Sequence, residues 1–259
     1  MAKQSGLGDL LFVDGVDLSG DIGAVQTIGQ PSGVLDVTAI NASGHERLLG
    51  LFDGLLKFSA FFNDETSPAA AHATLKAKSS GANRIASYFH GSAIGNMAAS
   101  IVGKQINYDW QRGADGSLVA DIEVQANGSG LEMGGSGATA VAKDGQLTAG
   151  KRTDTGATNG ASLDSGIAGG TAKGLAATLH VFSFTGTSIT VKIQSSSDDG
   201  GGDPYADVTG GAFAAASAVG AQRIVTSLTL AVERYLRVVS TGTFNPCTFA
   251  VCHTRYPYA

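Results

Sequence analysis

Apolar and polar residues alternate with period two in two neighbouring runs, residues 34–40 and 55–62. In the first, Val34, Asp36 and Thr38 oppose Leu35, Val37 and Ala39; in the second, Leu56, Phe58 and Phe62 oppose Leu55, Lys57, Ser59 and Phe61. Successive side chains of an extended chain point to opposite faces, so this period predicts two strands, and the β-branched and aromatic residues support it. The connection between them, residues 41–54, is far longer than the about two to five residues of a hairpin loop. It carries Asn41, His45, Glu46 and Arg47 together with Leu48, Leu49, Leu51 and Phe52. Those apolar side chains require burial, either in the chain's own core or against a neighbouring copy, and the pattern leaves both open.

The same logic extends along the chain. Apolar runs at residues 10–13 and 16–18 flank Asp14-Gly15, a strong hairpin signal. Residues 26–33 read as a polar link. One stretch has helical character, residues 68–78, with Ser67 as cap, Pro68 in the first turn, Lys76 and Lys78 in the last and Gly81 beyond. A short strand is predicted at 85–90. Residues 97–110 and 117–126 form the clearest hairpin, the second arm placing Leu118, Ala120, Ile122 and Val124 opposite Val119, Asp121, Glu123 and Gln125. From 127 to 174 small residues displace large apolar ones, which predicts a loose connection with at most short edge strands at 138–142 and 162–164. Strands then recur at 178–184, 188–195, 224–231, 235–239 and 248–253, the spacing of a small antiparallel sandwich. The expected organisation is mainly β: a first domain over 1–130, a Gly-rich linker or first edge strands over 131–160, and a β-sandwich over 161–259.

Composition adds a constraint on function. With 43% hydrophobic and 15% charged residues in 259, the chain folds rather than staying disordered, and 37 glycines imply many turns. A surface rich in Gly, Ala, Ser and Thr suits close contact with other subunits. A net charge of −5 argues against a grip on nucleic acid, which needs clustered Lys and Arg. No apolar window reaches transmembrane length and no signal peptide is expected. Cys247 and Cys252 fall on opposite faces of any strand spanning both, so free thiols of a reducing compartment are expected.

The search for chemistry yields no catalytic, cofactor or metal site. His45-Glu46 begins like a zinc motif, but no second His follows, and no Cys-x-x-Cys exists. Asp198, Asp199, Asp203 and Asp207 lack the spacing of a calcium loop and read as an acidic hairpin loop. The glycines of GSGLEMGGSG lack the Lys and the strand–helix setting of a phosphate cradle. Asp121 and Glu123 share one strand face, where solvated acids are expected rather than an opposed acid–base pair. A structural role is favoured over an enzymatic one.

The order of these features resembles the tail tube (major tail) proteins of long-tailed, non-contractile bacteriophages. The resemblance covers residues 1–130. It rests on DGVDLSGDI in the first hairpin, on GLFDGLLKFSAFFND followed by a Pro-initiated helix, and on INYDWQRGADGSLVADIEVQANG in the closing hairpin. The second half, with HVFSFTGTSITVKIQSSSDD and RYLRVVSTGTFNPCTFAV, looks like the β-sandwich modules appended to some phage tail and virion proteins. The resemblance implies antiparallel sheets that supply a share of an inter-subunit β-barrel, in hexameric rings stacked into a hollow tube. It implies a tape measure protein inside, tail terminator and distal tail proteins at the ends, phage DNA in transit without specific binding, no cofactor and no membrane. The setting is the virion tail, assembled in the host cytoplasm. On this basis Asp36, Thr38, Lys57, Asp121 and Glu123 are expected to line the lumen, and Asn41, His45, Glu46, Arg47, Leu48 and Leu49 to join one ring to the next. The alternative expectation is a virion adhesin whose sandwich binds host carbohydrate.

Overall fold

The period-two runs fold into antiparallel strands, and the chain is mainly β, with one short helix among the described residues. The computed structural model describes residues 5–66, 70–77, 81–134, 143–167 and 172–255. The first half holds β1 (Leu10–Val13), β2 (Val16–Asp17), β3 (Ile22–Gly29), β4 (Ser32–Asp36), β5 (Arg47–Phe52), β6 (Leu55–Phe61), α1 (Ala71–Leu75), β7 (Arg84–Phe89), β8 (Ala98–Arg112), β9 (Leu118–Ala126) and β10 (Glu132–Gly134). The second half holds β11 (Gly145–Gln146), β12 (Arg152–Asp154), β13 (Thr158–Asp164), β14 (Leu175–Ser196), β15 (Ala206–Ala212), β16 (Gly220–Val225) and β17 (Tyr235–Arg255).

The first half forms a sheet of order β2-β1-β7-β8-β9-β6-β3, with β10 also paired to β8. Leu56, Phe58, Ala120, Ile122 and Val124 turn to one face and build its core with Ile101, Leu11 and Val13. Ala71 and Leu75 of α1 close that core. A helix this short cannot hold itself, and neighbouring side chains fix it. The Asp21 carboxylate accepts the Ala71 N–H at 2.9 Å, and the Arg84 guanidinium donates to the Thr74 carbonyl at 3.0 Å while pairing with Asp14 at 2.9 Å. The helix is thus shorter than the expected 68–78; Ser67, Pro68 and Lys78 lie outside the described residues. Residues 26–33 are not simply a link: the first half of them ends β3, an edge strand, and Ser32 and Gly33 open β4.

The second half is built on two long strands. β14 and β17 pair from Leu175↔Arg255 to Ser196↔Tyr235, where the sequence pattern predicts four separate strands. The breaks in period are bulges, not turns. At one of them Gly186, with φ 143°, lies so close to β17 that a Cβ would sit 2.5 Å from the Phe244 Cα. Ala177, Leu179 and Val181 before the bulges share a core with Ile189, Val191 and Ile193 after them. The sheet therefore doubles over on itself as a sandwich cut from one sheet, with β15 and β16 flanking β14, and β11, β12 and β13 flanking β17. In the stretch expected as a Gly-rich linker or first edge strands, residues 143–160 contribute β11, β12 and the start of β13, while 138–142 lie outside the described residues. Small residues permit this because these short strands press against the β17 backbone. Gln146, fully buried, donates from its side chain to the carbonyls of His90 at 3.0 Å and Gly91 at 3.1 Å, tying the connection to the first sheet.

A third core joins the two halves: Phe12, Phe89 and Ala98 from the first sheet meet Ala250 and Cys252 from the second. Phe12 packs its ring 5.1 Å from Phe89 and 4.6 Å from Phe182. Gly15, in the β1–β2 turn with φ 83°, is inserted so deeply that a Cβ would lie 2.6 Å from the Gly220 backbone, which only glycine permits. Cys247 faces the sandwich core and Cys252 this junction, on opposite faces of β17 as the spacing requires. Both thiols are free and buried, and burial raises them to about 11 and about 12.

A buried hydrogen-bond relay crosses the junction. The Gly15 N–H donates to His180 Nδ1 at 3.2 Å, so Nε2 carries the ring proton and donates to Ser87 Oγ at 2.9 Å. Ser87 donates to Ser100 at 2.9 Å, and Ser100 to Thr178 at 2.8 Å. Burial pushes His180 down to about 3. Between that value and the ordinary 6.5 the unfolded chain binds a proton the native chain refuses, so stability falls as pH drops through this window. The expected slope from His180 is about 1.4 kcal/mol per pH unit. Urea unfolding from pH 7 to 4.5 checks it: His180→Gln should be less stable at pH 7 but lose stability less steeply on acidification. Equal slopes in the two chains would contradict the assignment.

Candidate assembly surface

The long connection of the sequence is not a loop. β5 lies inside it and pairs with β4 as a separate two-stranded sheet. The register is Ser32↔Phe52, Val34↔Leu49, Leu35↔Leu48 and Asp36↔Arg47. Adjacent residues of a strand point to opposite faces. Val34 and Leu49 therefore share one face of the ribbon, and Leu35 and Leu48 share the other. Neither face is covered: Val34, Leu35, Val37, Ile40, Leu48, Leu49, Leu51 and Phe52 are all exposed, with Leu49 at 73% and Leu51 at 92%. Of the two seats the sequence allows for these side chains, the chain's own core leaves most of their surface exposed.

The arm is nevertheless well formed. At its tip the Asp36 carboxylate accepts the Thr38 N–H at 2.9 Å and the Thr38 hydroxyl, and pairs with His45 at 3.2 Å. Thr38 Oγ1 also accepts the Glu46 N–H at 2.9 Å. The Thr38 hydroxyl and amide, with His45, hold the Asp36 carboxyl below its usual range. At the base the Asp53 N–H donates to the Pro31 carbonyl at 2.8 Å. A cavity of about 610 Å³ lies beneath, bounded by Gln30, Leu51, Phe52, Leu131 and Val225. Asn41, His45, Glu46, Arg47, Leu48 and Leu49 are all exposed on this arm.

The residues expected to line one surface divide between two places. Lys57, Asp121 and Glu123 share the face of the first sheet opposite its core: Lys57↔Glu123 and Ser59↔Asp121 are direct cross-strand partners. Asp36 and Thr38 do not join them; they clasp the arm tip, because the strand that holds Asp36 pairs with β5 and not with β6. The sheet face gains a member that the sequence pattern misses. A register shift between Gln105 and Asn107 puts Asp109 directly opposite Asp121. Like charges so placed cost stability, and Gln26 at 3.1 Å and Gln111 at 3.2 Å donate to Asp121. The one cation among the four, Lys57, approaches Glu123 only to 4.0 Å. Lys104, opposite Gln125, stands on the same face, so three carboxylates face two ammonium groups and the face keeps a slight acidic excess.

This layer is also open at both sides. β3 is a terminal strand, and the second half of β8, residues 104–112, pairs with β9 alone among the described residues. The order β8-β9-β6-β3 is therefore a four-stranded layer with two free edges. In the second half, Asp198 and Asp203 lie in the β14–β15 hairpin loop and accept N–H groups of that same loop, from Asp203 at 3.1 Å and Ser197 at 2.8 Å. Asp207 pairs with Lys192 at 2.7 Å.

No family model matches this sequence, and no curated protein matches it significantly. Among solved structures, the crystal structure of the SPP1 Dit protein (gp 19.1), described as a paradigm of the hub adsorption apparatus in phages infecting Gram-positive hosts, overlaps 95% of this chain and 98% of its own. The two share 9% identity with a TM-score of 0.33, too low for the likeness to argue for a shared fold.

Proposed function

We propose that this chain is a structural subunit of a bacteriophage tail, whose copies assemble into rings stacked as a hollow tube for DNA passage. The observation that carries this reading is the arm. A two-stranded ribbon that is apolar on both faces is marginal in water, and most of the apolar side chains of this one are exposed on the single chain. A neighbouring copy provides one. The open layer supports the ring: free backbone groups on β3 and on the second half of β8 invite a strand from each side, and cyclic repetition closes the sheet and removes its edges. The acidic face of Asp109, Asp121 and Glu123 inside such a closure repels phosphates, so a duplex slides instead of binding.

The resemblance of residues 1–130 supplies the tail setting and the partners: tape measure protein within, terminator and distal tail proteins at the ends. Catalysis has no part in this role. Negative-stain electron microscopy of the purified chain tests it. Tubes of uniform width and bore are the expected result; monodisperse monomers or trimers at every concentration would overturn the reading.

A further inference from the structure

The arm leaves one end of β6, and the opposite end of the same strand carries a second, partly exposed aromatic surface. There Phe62, His72, Tyr108 and Trp110 form an aromatic rim, with Phe62 4.8 Å from His72 and 5.1 Å from Trp110, and Tyr108 5.1 Å from Trp110. His72 Nδ1 and the Tyr108 hydroxyl are hydrogen-bonded at 2.7 Å, which fixes the two rings. Phe62 is 42% exposed and neighbouring Leu118 38%. The seven residues of β6 set arm and rim about 20 Å apart. We infer that this rim is the acceptor for the arm of the next copy, an inference that rests on the stacked-assembly reading above.

Three features favour that occupant. A donor at one end and an acceptor at the other make the contact head-to-tail, so each docking event leaves a free arm and a free rim and the assembly propagates. Both surfaces leave apolar side chains exposed in the single chain: the leucines of the arm, and Phe62 and Leu118 of the rim, with Tyr108 and Trp110 half-buried behind them. Their charges are complementary as well. Beside the apolar ribbon stand Glu46 and Arg47; beside the rim stand Asp64, Glu65 and Arg112; all are exposed, and none forms a salt bridge among the described residues. Arg47 against the two acids, and Glu46 against Arg112, suit a docked arm.

The test compares three full-length chains by sedimentation: the unaltered protein, an arm variant (Leu48→Glu with Leu49→Lys) and a rim variant (Phe62→Ser with Leu118→Ser). The rim variant should raise the concentration needed for polymer by at least about tenfold. An equimolar mixture of the two variants, each with one working surface, should give short species and no long polymer. A fourth chain, Leu49→Cys with Leu118→Cys, should form an intermolecular disulfide ladder on oxidation, with Cys247 and Cys252 buried and out of reach. This readout stands even if the rim variant folds poorly. A rim variant that folds and polymerises normally, or a ladder that fails to form in assembled protein, would overturn the rim as acceptor. If the arm variant alone fails to polymerise, the stacked reading survives that loss. If neither variant shifts the threshold, or the unaltered chain never polymerises, both fall.

Discussion

Replacing Leu48 with Glu and Leu49 with Lys is expected to leave the isolated chain folded and to abolish its self-association. The two side chains lie on opposite faces of the arm and are 56% and 73% exposed, so the fold loses almost nothing with them. Exposed substitutions of this kind fall within about ±0.5 kcal/mol. In an assembly that buries both, each leucine contributes about 1.5–3 kcal/mol. Losing the pair weakens each contact by about 10²–10⁴-fold, and burying new charge adds to the loss. Net charge is unchanged, so a general electrostatic effect is controlled. Unfolding midpoint and sedimentation, measured on the same sample, separate the two expectations. A variant that is unstable as a monomer would mean that the arm packs on its own chain.

The second large effect concerns the junction between the sheets. Phe12→Ala should cost about 3–5 kcal/mol, the range for emptying a fully buried aromatic site. Phe12 is 0% exposed, and it touches Phe89 on its own sheet and Phe182 and His180 on the other. No collapse of one sheet alone can fill the space, because the walls belong to both. With the His180 relay and the inserted Gly15 turn at the same place, the two halves should unfold together. Calorimetry checks this: the unaltered chain is expected to show one transition, and Phe12→Ala the same single transition at a midpoint lower by about 10 °C. Two separated transitions in the unaltered chain would show that the halves are independent domains.

Period two locates β6 and β9 in the sequence because one face of each is buried and the other polar. It fails at β5 for the opposite reason. RLLGLF has apolar residues on both faces, so no alternation exists to detect, and a charged flank makes it look like a loop. The signal was a continuous apolar run, which marks a strand buried on both sides. In the single chain both faces of β5 are largely exposed instead. β14 and β17 were broken in the pattern near Gly186 and near Phe244 because register shifts between Val181 and Ser188 interrupt the period without ending either strand. Asp109 escaped because its place beside Asp121 depends on one register shift in β8. His180 and Ser87 are far apart in sequence, and nothing local in either segment announces their bond.

In the proposed assembly the arm is the contact through which copies join. Amide hydrogen exchange over residues 32–52, in the monomer and in assembled protein, measures that directly. A two-stranded ribbon with water on both faces should exchange rapidly in the monomer. Assembly should then protect these amides more strongly than any other surface segment. An arm that exchanges equally fast in the polymer would contradict the account, whatever the shape of the particles.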